Sequence, residues 1–344
     1  MTMRPDPTLL RRRLVRDALP VVLLAVAPLA ATAVDAGWLV PVFTRMAVFA
    51  LAALALHFIL SVGGMVSLGH AAFFALGGYV VGIGSQHAYD ETPAPFGLPG
   101  WNDMLASLPL AFLVGALIAV PFGWVSLRTR GAYFIMITLA LAQMVFYLLV
   151  SLRGYGGEDG ISMWWGRNTL AGMEMSDRLV LHFLCLALLV LAWWVLTRLT
   201  ASPFGRVLDG ARQNESRMKA LGYRPLAYQV GAFALSGGIV AVAGALMANV
   251  DEFVSPGQGH WTVSGEFLVI VILGGLGSLS GAVWGALVLL GLEEVLMEIT
   301  QHWAVILGPL LVVIVLFARG GVGGLLDRLN LGRSKAGEAR DDTA

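Results

Sequence analysis

The chain has 344 residues, of which 58% are hydrophobic and only 13% charged, with 42 glycines. An ordinary soluble domain carries about 25% charge to solvate its surface, so the soluble classes are excluded. Its 22 basic and 22 acidic residues cancel, which leaves no global basic field for nucleic acid.

The first segment, 1–17, holds Arg11, Arg12, Arg13 and Arg16, and an apolar run follows over 18–36. With Ala31-Thr32-Ala33 it imitates a secretory signal, but the run is span-length and another begins within a few residues, so it reads as a retained anchor. A bilayer crossing needs about 20 apolar residues. Further runs of that kind cover 39–60, 105–127, 131–151, 179–197, 226–250, 281–298 and 302–318. Two softer stretches, 64–84 and 265–278, are apolar but rich in glycine and serine, and the second is short. Broken or re-entrant helices of this kind are tolerated where protein or a water-filled cavity covers the freed backbone. The fold class is thus an all-α polytopic membrane protein with about ten transmembrane or partly re-entrant helices, or eight full spans plus two broken ones.

The connections fix an orientation. With ten crossings, segments on the N-terminal side hold eighteen basic residues, whereas the opposite loops hold three, Arg153, Arg167 and Arg178. Arg and Lys are retained in the cytoplasm, so both termini are expected there, and eight crossings give the same result. The opposite loops carry acids, among them Asp90, Glu91, Asp103, Glu158, Asp159, Glu174, Asp177, Asp251 and Glu252. Residues 18–318 form the membrane domain, and 319–344 reads as a polar cytoplasmic tail.

The longest basic connection, 198–225, is not a simple tether. Ser202-Pro203-Phe204-Gly205 can start a helix, on which Val207, Leu208, Ala211, Met218 and Leu221 recur among charged residues. Gly222 supplies a C-cap and Pro225 prevents continuation. The product is an amphipathic helix, either anchored in the lipid interface or docked to a cytoplasmic partner.

Within the spans, ionisable groups are few and expensive. His70 could meet a polar solute or be a histidine paired to the protein. His57 and His182 lie near span ends, Arg45 reads as snorkelling to the surface, and Glu266 as facing outer water. Gly277, Gly281 and Gly285 recur every four residues, as do Gly78 and Gly82, a spacing that lets helices pack closely or that flanks a solute path. Ser67-Leu-Gly-His-Ala-Ala-Phe and Ser278-Leu-Ser-Gly-Ala-Val-Trp look like one motif used twice. The single cysteine, Cys185, excludes an intrachain disulfide and reads as a buried filler. No hydrolase, metalloprotease or paired-aspartate motif is present, so an enzyme is not expected, no catalytic residues are assigned and no metal site is proposed.

Several pieces in order resemble the LivM-like permease subunits of bacterial ATP-binding-cassette importers for branched-chain amino acids. They are Gly64 to Tyr79 (GMVSLGHAAFFALGGY), Arg128 to Ala140 (RTRGAYFIMITLA), Gly156 to Ile161 (GGEDGI), Ser202 to Arg206 (SPFGR), Arg212-Gln213-Asn214-Glu215 with Leu221-Gly222, and Gly274 to Ala282 (GGLGSLSGA). Gln213 stands where relatives often have Glu, Tyr155 where Thr is common, and Gln143 where many have an acid.

The resemblance implies that 202–224 is a coupling helix entering a cleft on an ATPase subunit, through Arg206, Arg212, Asn214, Glu215, Leu221 and Gly222. It implies a solute path near Ser67, Gly69, His70, Gln143, Gly274, Gly275, Gly277 and Ser278, with Gly78, Gly82, Gly281 and Gly285 packing helices. The implied partners are a second, LivH-like permease subunit, two ATPase subunits, a periplasmic solute-binding protein and the lipid of the inner membrane. Only Lys219 and Lys335 are lysine, and neither follows a glycine, so the phosphate loop is missing. ATP and Mg then belong to the partner ATPases, and this chain binds no cofactor. An ion-coupled secondary transporter is the alternative, but it usually needs ionisable groups deep in the bundle. Within the family, urea or short amides are alternative solutes.

Overall fold

The computed structural model describes residues 7–171 and 177–317, together with Gly321. The tail from 319 (apart from Gly321), Lys335 and Glu174 lie outside the described residues. Eleven α-helices follow one another among the described residues: α1 (Pro7–Ala33), α2 (Val40–Ser61), α3 (His70–Tyr89), α4 (Met104–Ser126), α5 (Ala132–Ser151), α6 (Arg178–Ala201), α7 (Pro203–Ala220), α8 (Pro225–Asp251), α9 (Trp261–Gly274), α10 (Ser280–Ile299) and α11 (Trp303–Phe317). Five stretches are long and apolar enough to cross a bilayer by length and composition: Gly37–Ser61, Met104–Ser126, Ala132–Ser151, Arg178–Ala201 and Pro225–Asp251. The chain is an all-α polytopic membrane protein.

Local chemistry explains the helix ends. Asp103 and Asp177 cap α4 and α6 by accepting from the N–H of Leu105 and Leu179 at 2.9 and 2.8 Å. Proline occupies the first turn of α2, α7 and α8, where its missing N–H deprives the helix of no bond. The expected span over 64–84 is displaced, because 64–69 is not helical and α3 begins at His70. Gly64, with φ of +68°, turns the chain there. The second soft stretch becomes α9, whose 14 residues rise about 21 Å, short of the roughly 30 Å hydrocarbon core.

Helices α2 and α8 form the centre, with most of their apolar windows buried by protein, whereas α4, α5 and α6 bury less than half of theirs. Leu113, Leu117, Tyr133, Met136 and Tyr147 on α4 and α5 stay exposed, as a lipid-facing surface requires. Small residues let α8 approach its neighbours. A Cβ at Gly77 would overlap the carbonyl of Ala241, one at Gly244 that of Phe74, and one at Gly237 the side chains of Ala119 and Phe73.

The connections gather at two faces. Residues 63–66, 127–131 and the middle of α7 line one common cavity and define the α7 face. The loops after α3, α5 and α8 meet at the far face. There, Ile161 and Ser162 (β1) pair antiparallel with Val254 and Phe253 (β2). Trp101 N–H reaches Gly84 O at 3.1 Å, and Arg167 pairs with Glu252 at 3.1 Å.

Candidate functional site

Helix α7 closes the α7 face. Ser202 caps its start, and Val207, Leu208 and Ala211 turn inward and are buried, as the amphipathic pattern requires. The helix is not continuous. Asn214 adopts extended angles (φ −158°, ψ 98°), and its Oδ1 accepts from Arg217 N–H at 2.9 Å, so it caps a second short segment. Sequence periodicity did not reveal this break, although asparagine is a cap residue. After the kink Leu221 points outward at 64% exposure, so it is not on the buried face where the pattern placed it. Gly222 behaves as expected. With φ of +87° it ends the helix, its N–H bonds Lys219 O at 3.0 Å, and Tyr223 N–H bonds Met218 O at 3.1 Å, which is the Schellman arrangement.

Glu215 is the hinge of this face. Its half-buried carboxylate pairs with Arg130 of the α4–α5 connection and with Lys219 at 2.6 Å. Arg212 bonds Asp209 at 2.8 Å, and its stem lies against Gly64. Arg206, also assigned to coupling, is exposed. Behind these residues lies a cavity of about 230 Å³ that Met65, Arg130, Phe134, Arg212, Glu215 and Gln229 help to line. The structure therefore brings Arg212 and Glu215, two residues expected to couple, to the turn that leads to the Ser67–His70 motif.

That motif is fastened to the core. His70 is fully buried, with Nδ1 3.0 Å from Ser67 Oγ and Nε2 3.0 Å from Ser236 Oγ. Ser236 donates to Ala55 O at 2.8 Å, so Nε2 must carry the proton and Nδ1 must accept from Ser67. Gly69 lies against Thr138 and Ala71 N–H donates to Ser264 at 2.7 Å, which ties the segment to α5 and α9. Both ring nitrogens of His70 are thus engaged by protein. His182 is held likewise, by Thr44 Oγ1 and Leu24 O at 3.1 and 2.9 Å. Gln143 is half-buried on α5, and its Nε2 has no hydrogen-bond partner among the described residues.

Gly274 ends α9, and Gly275, Gly277 and Ser278 lie in the turn that leads to α10. Ser278 Oγ lies 3.0 Å from Ser280 Oγ, which donates to Asp17 of α1 at 2.6 Å. A Cβ at Gly281 would meet the carbonyls of Gly274 and Gly275, and one at Gly285 would overlap Ile270 O, whereas Gly277 faces open space. Gly78 and Gly82 face Val254 and Ile161 beneath the far-face strands. The closest α3–α8 approach instead falls at Gly77 and Gly244, which the four-residue spacing did not single out.

Residues 39–317 match the family model described as the permease component of branched-chain amino acid transport systems. The chain belongs to that family. It is 29% identical over 307 residues to the high-affinity branched-chain amino acid transport permease LivM of Salmonella typhimurium strain LT2, covering 82% of this chain and 69% of the relative. A probable LivM of Methanocaldococcus jannaschii is 27% identical over 71% of each chain. An autoinducer 2 import system permease, LsrC of Salmonella paratyphi B, is 26% identical over 67% of this chain and 66% of its own. No solved structure matches the chain. The permease is thus the membrane component of an ATP-binding-cassette importer of small solutes.

Proposed function

We propose that this permease carries branched-chain amino acids across a bacterial inner membrane, with its α7 face in the cytoplasm and both termini on that side. It works beside a second, LivH-like permease subunit, over two ATPase subunits that bind ATP and Mg, and beneath a periplasmic solute-binding protein. The bias of basic residues toward the α7 face supports the orientation.

The observation that carries the reading is the anchored lever at α7. Its exposed end, from Arg212 to Arg224, presents Leu221 and Tyr223 outward, while Glu215 grips Arg130 and the chain enters α8 at Pro225 after a four-residue turn. A push on this end passes through Glu215 to the α4–α5 connection and through the turn to α8, the helix packed on α2, α3 and α4. Rigid-body displacement of packed helices is how such a push switches access. The test is solute-stimulated ATP hydrolysis by the complete complex in proteoliposomes. Glu215→Arg places like charge on Arg130 and Lys219, and stimulation is expected to fall about tenfold while the complex still assembles. A Gly222→Trp variant, strained at a positive φ, should behave alike. Unchanged stimulation in both overturns the lever.

A further inference from the structure

The α7-face cavity belongs to the lever. A second cavity, of about 370 Å³, opens at the other end of the bundle between α2, α3, α8 and α9. From Pro225 beside α7 to Asp251 on its rim, α8 rises about 40 Å, so the two cavities lie a membrane thickness apart. Its volume falls in the lower part of the roughly 300–1,000 Å³ range of small-molecule sites.

The polar lining comes from separate helices and loops: Arg45 of α2, Asp251 ending α8, Gln258 of the following loop and Glu266 of α9. Arg45 also approaches Glu293 of α10, but only to 4.0 Å, and its guanidinium lies 5.4 Å from the Phe49 ring centre. One guanidinium therefore lies within electrostatic reach of three carboxylates. A structural ion pair needs one acid, so carboxylates beyond the one that pairs with Arg45 remain for the positive end of an incoming molecule. Arg45 Nε and Gln258 Oε1 are buried and have no hydrogen-bond partner among the described residues, which leaves a donor and an acceptor directed to neither protein nor bulk water. No three His, Cys, Asp or Glu side chains among the described residues converge closely enough to hold a metal ion. Phe49, Phe74, Met247 and Val263 form the rest of the cavity wall, which suits an aliphatic side chain.

We propose that this cavity receives the solute at the periplasmic end, with Arg45 holding the carboxylate, Asp251 and Glu266 the ammonium, and the apolar wall the side chain of an aliphatic α-amino acid. The site rests on the amino-acid reading given above. Read singly, Arg45 is a snorkelling arginine and Glu266 a solvated acid; the fold makes them two ends of one dipolar receptor. A zwitterion brings both charges at once and so leaves the net charge of the cavity unchanged, which lets it enter and leave without trapping.

The test uses the complete importer in proteoliposomes, with radiolabelled L-leucine and the same binding protein throughout, and reads uptake per ATP hydrolysed. Arg45→Gln, Asp251→Asn and Glu266→Gln each remove one charge-assisted contact and should lower that ratio about tenfold, with Arg45→Lys recovering part of it. Val263→Trp narrows the apolar wall and should shift preference from leucine toward valine by about tenfold, read on whatever uptake remains in that variant. Wild-type leucine uptake with the charge variants within twofold of it, or with an unaltered leucine-to-valine ratio in Val263→Trp, overturns the site and leaves the amino-acid reading standing. A wild-type complex whose ATPase responds to its binding protein but which moves no α-amino acid overturns both.

Discussion

Replacing Ser236 by alanine tests whether His70 is a fastener. The hydroxyl of Ser236 accepts from His70 Nε2 at 3.0 Å and donates to Ala55 O at 2.8 Å, all in fully buried surroundings. Ser236→Ala leaves the packing nearly unchanged but strands one imidazole nitrogen. Exchange of tautomer does not rescue it, because Nδ1 then donates to Ser67 and Nε2 becomes an unpaired acceptor. A buried unsatisfied group costs about 1–3 kcal/mol, and at about 2–4 °C per kcal/mol the unfolding midpoint should fall by roughly 2–12 °C. Cys185 supplies the assay, since it is the single cysteine, is fully buried, and becomes reactive to a maleimide dye only as the detergent-solubilised protein melts. His70→Leu, of similar volume, removes the other partner, and the double variant should be more stable than the sum of the single losses by about 1–2 kcal/mol. Additive losses, or a raised solute KM in Ser236→Ala with an unmoved melting midpoint, refute the fastener and return His70 to the solute path.

Two further outcomes follow from packing and from the far-face loops. Gly285→Ala places a Cβ on the Ile270 carbonyl and should cost about 1–3 kcal/mol in the same thiol assay, while Gly277→Ala, which meets open space, should leave the midpoint unmoved. Asn249 accepts from Asn168 N–H at 2.9 Å and its carbonyl accepts from Arg167 Nε at 3.0 Å. Asn249→Ala should therefore speed hydrogen exchange of the Asn168 amide by about tenfold and leave the α7 amides unchanged.

What could be read from the sequence was whatever depends on neighbours along the chain. The spans, the Ser202 and Gly222 caps and the basic face of α7 are local or compositional. The α7 break escaped because Val207, Leu208 and Ala211 fit one helical face, and the rotation after Asn214 moves Leu221 off it. The Arg45 cavity escaped for another reason. Arg45 and Glu293 are 248 positions apart, and each sits near a helix end where a lone charge needs no partner. Only the order in which α2, α8, α9 and α10 pack brings Arg45 to Asp251 and Glu266 on one rim and to Glu293 beside it. Glycine spacing misled in a similar way, since it marked Gly78 and Gly82, whereas the register of α3 on α8 selects Gly77 and Gly244.

The repeated serine motif shows how a local pattern gains meaning from its place. Aligned on Ser67 and Ser278, the resemblance extends backward to Gly63-Gly64 and Gly274-Gly275. Both second glycines have positive φ, +68° and +95°, and each donates its N–H four residues back, Gly64 to Leu60 O and Gly275 to Val271 O. Each thus closes the last turn of one helix and reverses the chain in a conformation that a side chain would strain. Three residues later stands a serine: Ser67 Oγ accepts the freed Gly69 N–H, whereas Ser278 Oγ pairs with the hydroxyl of Ser280. A helix that reverses within a membrane protein must satisfy its freed groups internally, which the first serine does, so the glycine turn is used twice but its serine cap is shown once. The two copies differ in what they hold. The first lies under Arg212 of α7 and continues into the His70 fastener, whereas the second reaches Asp17 of α1. Among the described residues α7 thus touches the first reversal through Arg212, and α3, which that reversal starts, lines the Arg45 cavity through Phe74. A short packed path therefore joins the α7 face to the far cavity, through a turn built from two glycines and a serine.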